Sequence, residues 1–162
     1  MSERTQQARA IVRQYTYWSA GLGLIPVPAF DMVAIWAAQT KMVADLSKHY
    51  EIQFSEDRIR ALITSLVGGV VPVWLAGTGV GSWVKSVPFI GTVLGVALVP
   101  AFAAATAQAV GNVFLNHYEA GGTLLDFNPD KMREYFRAEF EVAKTEHGAT
   151  DDPEDRPAEQ AA

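Results

Sequence analysis

Between Ala61 and Leu115 this chain carries one formal charge, Lys85. That single fact limits the fold more than any other, because so long an uncharged run has to be buried, either against protein or against lipid. Residues 61–84 are 24 uncharged residues, and residues 86–118 are 33 with no formal charge. An apolar stretch of about 18 residues or more with few charges is a transmembrane candidate, and both runs are long enough. Both are also broken. The first contains Gly68, Gly69, Pro72, Gly77, Gly79 and Gly81, and the second Pro88, Gly91, Gly95, Pro100 and Gly111. In a soluble helix interior glycine costs about 1 kcal/mol and proline about 3. Membrane helices tolerate them better, because neighbours re-satisfy the freed backbone groups. The expectation is a hydrophobic membrane region over 56–118, as a hairpin of two kinked spans or as four shorter helices divided near Pro72 and Pro100. The competing reading buries the run inside a soluble helical protein. Only three polar helical segments flank it, which is little cover for such a run.

The flanks read as amphipathic helices. In 3–20, Ala8, Ile11, Val12, Tyr15 and Trp18 recur at helical spacing, and Gly21 and Gly23 offer a stop. An elbow follows, "GLIPVPAFD". Its two prolines hold Ile25 and Val27 extended, Pro28 suits the first turn of the next helix, and Asp31 complements that helix's positive end. This elbow is expected to set the angle between the two helices. In 28–49, Met32, Ile35, Trp36, Gln39, Met42, Val43 and Leu46 make one face. Ser55 is placed to cap the helix that leads into the uncharged run. At the far side Asn128 caps, Pro129 takes the first helical position, and Met132, Tyr135, Phe136, Phe140 and Ala143 line one face of 129–147. The sequence thus predicts an all-α, membrane-associated fold, a single helical domain over 1–148, with an acidic tail, 149–162, that has no large apolar residue and is expected to be disordered.

Charge and composition exclude several functions. A net charge of −5 argues against a general nucleic-acid binder. No cysteine is present, so disulfides, thiolate catalysis and cysteine-bound zinc are excluded. No apolar leader follows the polar start "MSERTQQARAIVRQ". "GVGSWVKS" lacks the glycine that a phosphate loop needs directly before its lysine. His49, His117 and His147 stand in no ligand spacing, and no nucleophile elbow is found. No catalytic, cofactor or metal residue is assigned, and the protein is expected not to be an enzyme.

Other residues fit a membrane setting. Lys41, Lys48, Arg58 and Arg60 precede the run and Lys131, Arg133 and Arg137 follow it, against Lys85 alone in the connection. The lysine and arginine rule then puts both termini in the cytoplasm of a bacterium, with the chain in the inner membrane. Trp83 beside Lys85, and His117 with Tyr118, suit interfacial positions. Gly77 with Gly81 and Gly91 with Gly95 form G-x-x-x-G spacings that let helices approach closely, within one chain or in a homo-oligomer.

"PVPAFDMVAIWAAQTKMVADLSKHY" resembles the opening helix of the YcjF-like family, domain-of-unknown-function family 697, on Pro26, Pro28, Asp31, Gln39, Met42 and Tyr50. The likeness extends over about residues 5–145. It implies a helical, membrane-associated domain found fused to, or encoded with, a GTPase. This chain contains no GTPase domain, so a GTPase partner would act in trans. The family offers no catalytic residue to carry over. The resulting expectation is a membrane anchor or interaction module whose partners are the lipid bilayer and a GTPase. The alternative is a helical protein that inserts its hairpin to form a pore or remodel membrane.

Overall fold

A computed structural model describes residues 2–22, 30–68 and 90–148, with backbone alone for 30–33, 90–99 and 148. Among these, five helices and no strand are found: α1 Glu3–Leu22, α2 Phe30–His49, α3 Glu56–Gly68, α4 Ile90–Glu119 and α5 Pro129–Gly148. The fold is all-α, as expected. Pro26, Pro28, Gly77, Gly81, Trp83 and Lys85 lie outside the described residues, as does the tail.

Local chemistry fixes the ends. The Ser2 hydroxyl accepts the Thr5 amide at 3.2 Å and opens α1. Asn128 Oδ1 accepts the Asp130 and Lys131 amides at 3.0 and 3.2 Å, the cap expected for α5. At the end of α4 the Gly122 amide reaches the His117 carbonyl and the Gly121 amide the Tyr118 carbonyl. Gly121 takes the left-handed conformation that this double closure needs (φ 83°). The end of α2 closes the same way, with Glu51 at φ 59° in the glycine position.

The second half of α4 forms the centre of the bundle. Ala103, Ala105, Ala109, Val110, Val113 and Phe114 are all buried. They are covered chiefly by α1 and α5, with α2 and α3 completing the ring. This bears on the expected cover of the run's end and corrects the expected division at Pro100. The three flanking helices suffice, with α3, to cover the end of the uncharged run, because alanine keeps α4 slim and its neighbours close. The chain also continues as helix through Pro100, so no division falls there. Among the described residues, no helix is long and apolar enough to cross a membrane.

Gly111 sets the closest approach. A Cβ placed there would lie 2.6 and 2.9 Å from the two Val12 methyls and 3.1 Å from Met42 Sδ. α1, α2 and α4 therefore meet at one point that only hydrogen can occupy. α1 is turned relative to the sequence expectation. Ala8, Val12, Thr16 and Ser19 face inward, while Trp18 is 63% exposed. The small hydroxyl residues permit close packing, and Thr16 satisfies its own hydroxyl on the Val12 carbonyl at 3.0 Å.

Replacing Gly111 by Ala tests this junction. Alanine favours helix by about 1 kcal/mol, but overpacking costs about 1–3, and stiff, buried Val12 has little room to yield. The expected outcome is a melting temperature lower by several degrees, with Val12→Ala restoring much of the loss in the double variant. A neutral or stabilising Gly111→Ala would show that the helices are further apart.

Candidate functional site

Hydrogen bonds set the directions of α1, α2, α4 and α5. Arg4 and His49 exchange contacts: His49 Nε2 donates to the Arg4 carbonyl at 2.9 Å, and Arg4 Nη2 donates to the His49 carbonyl at 3.3 Å. Tyr15 donates to Asp45 at 2.6 Å. α1 and α2 are therefore antiparallel. Ser47 gives its proton to the Val43 carbonyl at 2.8 Å, which leaves Tyr118 as the donor to Ser47 at 2.9 Å. With Met42 at Gly111, this makes α2 and α4 parallel. α5 runs antiparallel to α4 along a row of amides. Gln108 Nε2 donates to Glu146 at 2.7 Å, and its oxygen accepts from His147 at 2.7 Å. Asn112 donates to Glu139 at 2.6 Å, and Asn116 donates to the Tyr135 hydroxyl. The short turn after α2 returns α3 antiparallel to it.

The bundle consequently has two unlike poles. At one pole α1, α3 and α5 end and α2 begins. By register these ends fall within about two turns of Pro100, so α4 extends roughly three turns beyond the other described helices, about 15 Å at 1.5 Å per residue. That extension, "IGTVLGVALV", contains no charge. The connections 23–29 and 69–89, which leave from this pole, contain one charge between them, Lys85, while Asp31 in the first turn of α2, Glu146 in the last turn of α5 and the acidic sequence 149–162 that follows it bring the other charges to this end of the chain. The opposite pole carries Glu3, Arg4, Lys48, Glu56, Asp57, Arg58, Glu119, Asp126 and Lys131. It also exposes Phe54 and Leu125.

The structure places the sequence-predicted residues as follows. Gln39 and Met42 are buried on the α2 face that meets α4. Tyr50 lies at the charged pole, where its hydroxyl donates to Glu119 at 3.2 Å and Arg4 sits 4.8 Å from its ring centre. Asp31 is in the first turn of α2, and Gly91 and Gly95 are in the first part of α4. Tyr118 is inside the bundle. His117 donates to the Thr123 carbonyl at 2.9 Å and stands 3.8 Å from Asp126. A Cβ on Gly122 would run into its ring. Hydrogen bonds from the Thr123 hydroxyl and amide hold the Asp126 carboxyl below its usual range.

Among the described residues, two concavities lie between neighbouring helices. A cleft of about 320 Å³ between α1 and α5 is walled by Arg9, Arg13 and Tyr17 on one side and by Glu146 and His147 on the other, over Gln108 and Asn112. A groove of about 580 Å³ between α2 and α3 is lined by Trp36, Thr40, Lys41, Phe54, Arg60 and Thr64. Neither brings a nucleophile to a base. Among the described residues no group of three acids or histidines could hold a metal ion.

A family model described as "Domain of unknown function (DUF697)" matches residues 1–125. The chain belongs to this family. It is also 38% identical over 138 residues to magnetosome membrane protein 22 of Magnetospirillum gryphiswaldense, covering 85% of this chain and 70% of that protein. No solved structure matches. The family match spans α1 to α4 and stops before α5. The amide row that joins α4 to α5 was missed by reasoning on charge, since Gln108, Asn112 and Asn116 carry none. Their spacing of four was its signal.

The tyrosine contacts predict an alkaline transition. Burial first, then the Asp45 and Glu119 carboxylates, push Tyr15 and Tyr50 up from 10, Tyr50 to about 12. The fold favours the protonated phenols. Their contribution to stability is complete below pH 10 and is lost as pH rises through the folded values. Circular dichroism and phenolate absorbance should show helix loss and tyrosine ionisation together, above pH 10. In Tyr15→Phe the alkaline loss should be smaller. In a Tyr17→Phe background, which removes the exposed phenol, ionisation near pH 10 without structural loss would contradict these contacts.

Proposed function

We propose that this protein is a non-catalytic membrane module: the charge-free start of α4 and the charge-poor connections 23–29 and 69–89 seat in a bilayer, and the opposite, charged pole docks a protein partner. The observations that carry this reading are the charge-free start of α4 and the single charge, Lys85, in the connections 23–29 and 69–89. Among the described helices the uncharged start of α4 extends past its neighbours by about 15 Å, and so apolar a segment favours burial away from water. The resemblance to a magnetosome membrane protein supports the same reading. The lysine and arginine distribution favours a bacterial inner membrane with the charged pole in the cytoplasm. Phe54 and Leu125, exposed amid charges, suit a docking face. A GTPase acting in trans is the partner that the family resemblance implies, and self-association through the small residues of the uncharged region is a second mode.

Fractionation of the expressed full chain tests the membrane claim. It should pellet with membranes, resist a carbonate wash and be released by detergent. Recovery in the supernatant without detergent would overturn the reading. Vesicles mixed with the protein should retain a trapped dye, and leakage would favour a pore former instead.

A further inference from the structure

α1 is the basic helix of an acidic chain. It carries Arg4, Arg9 and Arg13, and after Glu3 it has no acid. Arg9, Arg13 and Tyr17 recur at intervals of four and form one stripe on its open side. Neither Arg9 nor Arg13 makes a salt bridge among the described residues. The carboxylates that face them from α5 are engaged elsewhere, Glu139 with Asn112 and Glu146 with Gln108. At the end of α1 nearest the charge-free start of α4, two large aromatics stand in the open: Tyr17 is 67% exposed and Trp18 63%. Packing among the described residues explains neither, since Thr16 and Ser19 supply the inward face.

The order along the helix matters. Starting from that end, the aromatics come first. Arg13 follows about 6 Å further out and Arg9 about 12 Å from Tyr17, at 1.5 Å per residue. That is the depth order of a bilayer surface, with amphipathic rings at the boundary of headgroups and acyl chains and cations at the phosphates. We propose that α1 is the chain's contact with an anionic membrane surface, with Tyr17 and Trp18 in the headgroup boundary and Arg13 and Arg9 on lipid phosphates. This inference rests on the membrane reading above and adds to it the lipid class and the residues that meet it. The uncharged segments would hold the protein in the bilayer, while α1 would set its preference among lipids.

The absence of native cysteine allows a direct test on the full chain. Trp18→Cys and, separately, Tyr17→Cys carry an environment-sensitive fluorophore, and Lys131→Cys serves as the control at the charged pole. The variants are mixed with vesicles of phosphatidylcholine alone or with about one-third phosphatidylglycerol. Labels at 17 and 18 should brighten on binding, more with anionic lipid, and the label at 131 should not. Adding Arg9→Gln and Arg13→Gln to the Trp18→Cys variant should remove the anionic preference by about fivefold per arginine, and high salt should mimic that loss. Vesicle flotation separates the two claims. A chain that floats while labels at 17 and 18 respond no more than the one at 131 refutes the α1 contact and leaves the membrane reading intact. A chain that floats and brightens equally with both lipids refutes the role of the arginines. A chain that does not float refutes both readings.

Discussion

The close approach of three helices at Gly111 governs the rest of the structure. Val12 and Met42 occupy the space where a Cβ would stand. α1 and α2 are thereby held against α4 at a fixed height, and every other level of the bundle follows from that register. Alanines along the second half of α4 continue the same close fit, while Phe114, Phe136 and Phe140 fill the wider gaps towards α5. Buried small residues give up apolar area, but they recover contact through density, because dispersion falls off steeply with any gap.

The register is reinforced at its edges by polar contacts. Tyr118 on Ser47, Tyr15 on Asp45 and the amide row of Gln108, Asn112 and Asn116 each join α4 or α2 to one neighbour. Such bonds add modestly to stability, about 1 kcal/mol each, yet they strongly penalise a slipped register, which would leave buried partners unpaired. The two poles follow directly. The turns 50–55 and 120–128 lie at one end of these antiparallel neighbours, and 23–29 and 69–89 leave from the other with Lys85 as their one charge.

Much of this was legible in the sequence. The caps at Asn128 and the stripe through Phe136 and Phe140 follow from local chemistry and a period of 3.6 residues, and the structure shows them. The flanking helices lie where their apolar spacing put them. The rotation of α1 was not legible, since Trp18 and Ser19 are adjacent and size alone favours burying the tryptophan. Burial of the second half of α4 was not legible either. Lipid and protein interiors are equally apolar, so hydropathy does not separate them. The small residues at 103–111 were the available clue, because they suit close protein packing. Helix continuity at Pro100 illustrates the same limit, for a proline's cost depends on what surrounds the helix.

The central claim is that α1, α3 and α5 run opposite to α2 and α4, so that 23–29 and 69–89, with one charge between them, leave from the same pole. Electron paramagnetic distance measurement on the detergent-solubilised full chain tests it most directly. Spin labels at Tyr17→Cys and Glu146→Cys share that pole and should lie close together, whereas the pair Tyr17→Cys and Lys131→Cys should be further apart by about 20 Å, the length of the intervening α5. A short distance from 17 to 131, or equal distances for the two pairs, would contradict the register and with it the division of the bundle into two poles.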